Sequence, residues 1–144
     1  MQNKKVYFAH AYCTYQYKIE DEQIEKLRKH FPESAWELIN PQTYDLDSEK
    51  RRMKREGRSM EYCKKLVGKS NALVFSRLRV RRGAEVTSGV GIEIDHALKL
   101  GIPVYELTED GDLSHVHEPP NRLSYDDTIK FYDEWRNEYF ESFG

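Results

Sequence analysis

The sequence predicts an α/β protein: a three-layer sandwich in which a mostly parallel, Rossmann-like sheet of four to five strands lies between helices. Three observations carry this reading. Short apolar runs at Val6 to Ala9, Asn71 to Phe75 and Ile102 to Leu107 recur along the chain, with amphipathic stretches between them. The run from Asn71 to Phe75 is almost wholly apolar, as a parallel strand covered on both faces must be. Glu85 to Gly101, followed by Ile102 to Leu107, reads as turn, helix and strand, one half of an α/β unit. Every return to a parallel strand needs a crossover, and the amphipathic stretches supply them.

Taken in order, Lys4 to Ala9 is the first strand, and His10 to Thr14 forms its carboxyl end and loop. Ile19 to Phe31 is a helix with Ile24, Leu27 and Phe31 towards the sheet, closed by Pro32. Trp36 to Ile39 is a second short strand, ended by Asn40-Pro41. Ser48 to Val67 is mostly helix, with Met53, Met60, Leu66 and Val67 directed inward in part. After the strand at 71–75, Ser88, Gly89 and Gly91 make a tight turn, and Ile92, Ile94, Ala97, Leu98 and Leu100 mark the apolar side of the helix that follows. Gly101 stops that helix, and Pro103 falls just inside the next strand. Leu113 to His117 is a short edge strand. Tyr125 to Phe143 is a final helix with an aromatic stripe of Ile129, Tyr132, Trp135, Tyr139 and Phe140, read as core or subunit interface.

A chain of 144 residues with 38% hydrophobic residues supports one core, so residues 1–144 are read as a single domain. The net charge of -2 excludes a general polyanion binder, but the charge is unevenly spread. Between Lys50 and Arg82 there are 13 Lys or Arg and only two acids, which points to a local anionic ligand such as phosphate. The two cysteines, Cys13 and Cys63, form no CxxC and no disulfide framework. With no signal-like or spanning apolar segment, a cytoplasmic protein away from membranes is expected.

The chemistry gathers on the stretch from Glu85 to Glu93. Glycines let backbone approach a ligand closely, and a helix start offers N–H groups without intrahelical acceptors. The turn Ser88-Gly-Val-Gly91 lacks the GxGxxG spacing of a dinucleotide fingerprint and the lysine of a P-loop. It is instead preceded by the arginine loop that carries Arg77, Arg79, Arg81 and Arg82, and followed closely by Glu93. A carboxylate in a first helical turn can simply complement the helix dipole. Beside a phosphate-holding turn it can also attack the anomeric carbon of a nucleotide and form a glycosyl ester as the base departs. Asp95, roughly 200° further round the helix, falls outside such a pocket. His10 and Tyr12 at the first strand end are candidate pocket groups, with Tyr12 placed to hold the nucleophile's carboxylate; Asp45 or Asp47 is a candidate to bind the sugar or protonate the base. His115 and His117 alternate along one side of a strand, but no third ligand is spaced to join them, so neither a metal nor a cofactor is expected.

This arrangement resembles the nucleoside 2-deoxyribosyltransferase superfamily, especially its branch of 2'-deoxynucleoside 5'-monophosphate N-glycosidases. The resemblance rests on Val6-Tyr-Phe-Ala9, Asn71-Ala-Leu-Val-Phe75, Glu85-Val-Thr-Ser-Gly-Val-Gly-Ile-Glu93, Ala97 and Gly101-Ile-Pro-Val104, and spans roughly Lys4 to Leu107. It implies an α/β fold, usually dimeric or higher, whose pocket a neighbouring subunit often completes. It implies a glutamate nucleophile, which falls on Glu93, and a phosphate-binding turn, which falls on Ser88, Gly89 and Gly91. Two departures stand out. His10 occupies the position where the family usually has glycine, with Tyr12 as the nearby tyrosine. The third strand opens with Asn71 where the family commonly has an aspartate there or in the following loop, and an amide is no general acid. Glu85, or an acid of the Tyr44 to Asp47 loop, is the expected substitute.

The leading expectation is therefore a hydrolase that cleaves the N-glycosidic bond of a (deoxy)nucleoside 5'-monophosphate through Glu93, with Tyr12 and Glu85 assisting. His10, Asp45, Asp47, Arg77, Arg79, Ser88, Gly89 and Gly91 would bind the nucleotide. Hydrolysis is preferred to transfer because the basic loop suggests a substrate with its own 5' phosphate. A nucleoside deoxyribosyltransferase, or a non-catalytic nucleotide-binding sensor domain of the same fold, is the alternative. A nucleic-acid partner ranks last, because aromatic residues do not interleave with the basic stretch as a stacking platform requires.

Overall fold

The computed structural model describes residues 3–10, 18–41, 59–77 and 86–143, with backbone alone for 18, 59 and 135–143. The elements are β1 (Lys4–Ala9), α1 (Lys18–His30), β2 (Trp36–Ile39), α2 (Ser59–Gly68), β3 (Ala72–Phe75), α3 (Ser88–Lys99), β4 (Val104–Leu107), β5 (Leu113–Val116) and α4 (Tyr125–Phe143). The sheet runs in the order β2-β1-β3-β4-β5. Its first four strands are parallel, and β5 pairs antiparallel with β4 at the edge. Between β1 and β3 the chain reverses its direction of travel across the sheet. In an open α/β sheet, this switch point opens a crevice at the carboxyl ends of the strands.

Alternation along the strands sorts the core into two layers. Val6, Phe8, Ala72, Val74 and Leu107 pack with Leu27 of α1 and with Phe31 just past its end. Tyr7, Ala9, Leu73, Phe75 and Val104 pack on the other face with Tyr62, Leu66 and Val67 of α2 and with Val90, Ile94 and Ala97 of α3. The result is the expected three-layer sandwich, α1 on one side of the sheet and α2 with α3 on the other. All four residues of β3 are buried, because this strand has a neighbour on each edge and helices on each face. In α1, Glu20 and Asp21 lie in the first turn and Arg28, Lys29 and His30 in the last, which matches charge to the helix dipole at both ends.

The organising helix departs from the sequence reading at its start and ends, as read, at Gly101. It begins at Ser88, with Thr87 as N-cap: the Thr87 hydroxyl accepts from the Val90 N–H at 3.4 Å, and the Gly91 N–H bonds the Thr87 carbonyl at 2.9 Å. The Ser88 to Gly91 stretch is thus the first helical turn rather than a turn ahead of the helix. At the other end, the Gly101 N–H bonds the Leu98 carbonyl at 3.1 Å and the Ile102 N–H bonds the Ala97 carbonyl at 2.9 Å, while Gly101 takes φ 74°. This is a Schellman closure, which needs a residue that accepts left-handed backbone at Gly101. Ile102 is consumed in it, and β4 starts at Val104, two residues later than the apolar run suggests, with the Pro103 carbonyl accepting from the Leu73 N–H at 2.9 Å.

Smaller differences follow the same logic. Asn71 lies before β3, where its side-chain oxygen accepts from the Lys5 N–H at 2.8 Å and its own N–H bonds the Lys5 carbonyl at 2.7 Å. Residue 117 lies past β5. Of the long helix expected from Ser48, residues 59–68 are described as α2, and its expected start lies outside the described residues. Among the described residues, no helix is long and apolar enough to cross a membrane.

Candidate active site

Glu93 is the centre of the candidate site. Starting the helix at Ser88 moves Glu93 into the second turn, and no acidic residue lies in the first. The helix-dipole explanation loses its force there, since that interaction fades beyond the first turn. Glu93 is only 6% exposed and sits on the same helix as the core residues Val90, Ile94 and Ala97. A carboxylate in such surroundings is costly unless hydrogen-bonded. One partner is Tyr7, whose hydroxyl donates to Glu93 Oε2. Tyr7 is fully buried in β1, between Val6 and Phe8 on the chain but on the opposite face of the sheet from both. A phenol on an ionised carboxylate is a charge-assisted hydrogen bond, and it fixes which way the carboxylate points.

The first turn of α3 is more fully engaged than its sequence implies. The Ser88 N–H donates to Thr128 Oγ1 of α4 at 3.0 Å. Ahead of it, the Val86 N–H bonds the Asn121 carbonyl at 3.2 Å, and the Leu123 N–H bonds the Val86 carbonyl at 2.8 Å, so residues 121–123 run beside the entry to α3. Arg122, held in that segment, lies across Gly91 and pairs with Asp95 Oδ2 at 2.5 Å. A Cβ built on Gly91 would stand 2.8 Å from Arg122 Nε and 2.9 Å from Cδ and Cζ. A side chain at Gly91 would therefore make the Arg122 side chain shift. Gly89 differs: a Cβ there would meet only Met60 Sδ, at an ordinary 3.7 Å. Its N–H is among the four first-turn donors that a helix cannot pair internally.

Arg77 leaves β3 and meets Glu106 of β4, Nε to Oε1 at 2.7 Å, in a partly exposed pair. Of the expected substrate groups, Ser88, Gly89, Gly91 and Arg77 thus belong with Glu93 to the carboxyl-end, α3 side of the sheet. His10 does not. It is buried on the α1 side, stacked on Phe8 with ring centroids 4.2 Å apart. Its Nδ1 is 3.0 Å from the Phe8 carbonyl and its Nε2 is 2.6 Å from Glu20 Oε2. Tyr12, Asp45, Asp47, Arg79 and Glu85 lie outside the described residues. Asn71, the departure noted at the third strand, sits at the amino end of the sheet and ties β3 to β1. Its identity bears on sheet pairing rather than on the chemistry at the opposite end.

Sequence reading missed Tyr7, Arg122 and Thr128. Tyr7 carries a faint signal, a hydroxyl within an otherwise apolar strand. Arg122 and Thr128 carry none, because only the folded chain brings residues 121–128 to the start of α3. His115 and His117 have ring centroids 4.1 Å apart on the exposed edge strand, and among the described residues no group of three or more metal-ligating side chains is found. Comparison of the chain with protein-family models, with curated proteins and with solved structures finds no match.

Proposed function

We propose that this protein is a hydrolase of (deoxy)nucleoside 5'-monophosphates that cleaves the N-glycosidic bond through Glu93, as the resemblance to the nucleoside 2-deoxyribosyltransferase superfamily implies. The observation that carries the reading is the buried carboxylate of Glu93 held by the Tyr7 hydroxyl beside the sheet's switch point. A purely structural role would be served as well by an apolar residue, without the cost of desolvating a carboxylate.

In this reading a Glu93 oxygen attacks C1' of the sugar. The C1'–N bond breaks, its electron pair leaves with the base, and a proton reaches the base from an acid. Glu85, Asp45 and Asp47 are the candidates for that acid. Water then attacks C1' of the glycosyl ester, loses a proton, and restores the carboxylate. Tyr7 keeps the carboxylate oriented through both steps. Gly89 and its neighbours at the start of α3 receive the phosphate, and a second base in place of water would make the same site a deoxyribosyltransferase. The active form is a homodimer or higher homo-oligomer in the cytoplasm, with neither nucleic acid nor membrane as partner.

A second reading keeps the nucleotide site without the catalysis, since Asn71, an amide, stands where the family commonly has an acid. Two groups expected to meet phosphate, the Ser88 N–H and the Arg77 guanidinium, already have partners within the chain. The two readings separate in one experiment. Free-base release from a panel of deoxynucleoside and ribonucleoside 5'-monophosphates is followed by chromatography, with Glu93→Gln beside the parent. Release by the parent alone supports the hydrolase. Binding of nucleotides to both proteins with release by neither sinks it and leaves the binding domain.

A further inference from the structure

Four polar side chains meet on the α1 side of the sheet, across the switch point from Glu93. Ala9 and Phe75 are register partners, so His10 and Ser76 leave β1 and β3 side by side. Glu20 and Gln23, three residues apart, share the face of α1 that covers these strand ends. Three members have visible reasons to be there. His10 and Glu20 hold each other, and the Ser76 hydroxyl accepts from Gln23 Nε2 at 3.1 Å. The Gln23 carbonyl oxygen is different. Gln23 is 7% exposed, and Oε1 is buried with no hydrogen-bond partner among the described residues. A methionine would fill the same length of space without that penalty. A buried acceptor without a partner among the described residues calls for an explanation beyond their packing.

We propose that Gln23 reads the base of the bound nucleotide, with Oε1 accepting a hydrogen bond from an exocyclic amino group. The assignment rests on the nucleotide reading above. Its chemistry follows from what each part of such a ligand can offer. The phosphate presents acceptors, so it suits the N–H donors at the start of α3 and cannot satisfy an orphan acceptor. The sugar is held against Glu93, where C1' must lie. That leaves the base for the α1 side of the crevice. The amide nitrogen is committed to Ser76, so the side chain presents its oxygen alone. An amino group at the base's 6-position (purines) or 4-position (pyrimidines) completes the bond, whereas a carbonyl oxygen there would face another oxygen. Gln23 thereby selects adenine- and cytosine-type bases over their oxo counterparts.

The test uses the full chain and two matched pairs, the 5'-monophosphates of deoxyadenosine with deoxyinosine and of deoxycytidine with deoxyuridine. Calorimetric binding and thermal unfolding are measured for the parent, Gln23→Met and Ser76→Ala. Gln23→Met is expected to melt at or above the parent without ligand and to bind the better amino nucleotide about tenfold more weakly, with its oxo counterpart unchanged. Ser76→Ala frees the amide to turn and is expected to shrink the amino-over-oxo preference, which carries the test should Gln23→Met fail to fold. Equal loss for both members of a pair, or no loss for either, overturns the assignment of Gln23 while leaving the nucleotide reading intact. A parent chain that binds none of the four nucleotides overturns both.

Discussion

The two faces of this sheet both bury ionisable groups, and they do so in different ways. On the α1 face, His10 and Glu20 form a closed pair: the imidazole stacks on Phe8, and both ring nitrogens meet acceptors at 2.6 and 3.0 Å. This pair ties the first turn of α1 to the end of β1. On the α3 face, the carboxylate of Glu93 accepts a hydrogen bond from the Tyr7 hydroxyl. A buried hydrogen-bonded pair locks two elements together, and removing one partner harms the fold because the other is left unsatisfied. In the function proposed above Glu93 is the reacting group, and the comparison sets it against a pair that serves the fold.

The strongest way to break this comparison is Glu93→Gln. The exchange keeps size and hydrogen-bonding capacity but removes the nucleophile, and base release should fall about thousandfold or more with unfolding midpoint nearly unchanged. A variant that releases base at the parent rate would move the chemistry away from α3. Tyr7→Phe comes next: it deletes one hydroxyl from a buried carboxylate, and a rate loss of about ten- to a hundredfold is expected, equivalent to about 1.4–2.7 kcal/mol. A stability loss with no change in rate would make the Tyr7–Glu93 contact structural, like its counterpart on the other face.

Glu20→Gln tests that counterpart. Neutralising one member of the closed pair should cost about 1–3 kcal/mol in denaturant unfolding, while leaving turnover per folded molecule unaltered. A large fall in turnover would erase the division between the faces.

The glycine pair gives the finest test. Gly91→Ala drives a Cβ into the Arg122 side chain, and the gain in helix propensity, about 0.5–1 kcal/mol, is outweighed by overpacking of about 1–3 kcal/mol. A net loss near 1 kcal/mol should appear in thermal unfolding and vanish when Arg122→Ala is present, a double-mutant cycle. Gly89→Ala has only an ordinary contact to make. It should change stability by a few tenths of a kcal/mol and weaken mononucleotide binding, because the methyl group stands where backbone must approach phosphate.

Much of the fold was legible in the sequence because strand and helix periodicities are local. β1, β2 and α4 fall on the residues their patterns indicate, and the apolar 71–75 run becomes the central β3 apart from Asn71. The misplaced boundaries are those decided by capping. Gly101 ends α3 as its sequence indicates, but the Thr87 hydroxyl sets the start of the helix, and hydrophobic pattern alone does not register that cap. That shift of the helix start also changed the meaning of Glu93, from a first-turn carboxylate to a buried one with a tyrosine partner. Gly91 likewise reads as a ligand glycine in sequence and as clearance for Arg122 in space.

By itself, the sequence determined the α/β class and the alternation of crossover helices with short strands, and set the expectation that chemistry lies on residues 85–93. These follow from side-chain periodicity and from glycine and carboxylate chemistry within a short span. Only the tertiary structure decided that Tyr7 meets Glu93 across 86 residues, that Arg122 and Thr128 close over the start of α3, and that His10 turns to the opposite face. The reason is physical. Parallel strands acquire neighbours through crossovers, so the residues that share a site are set by sheet order and strand parity, to which no local pattern in the chain is sensitive.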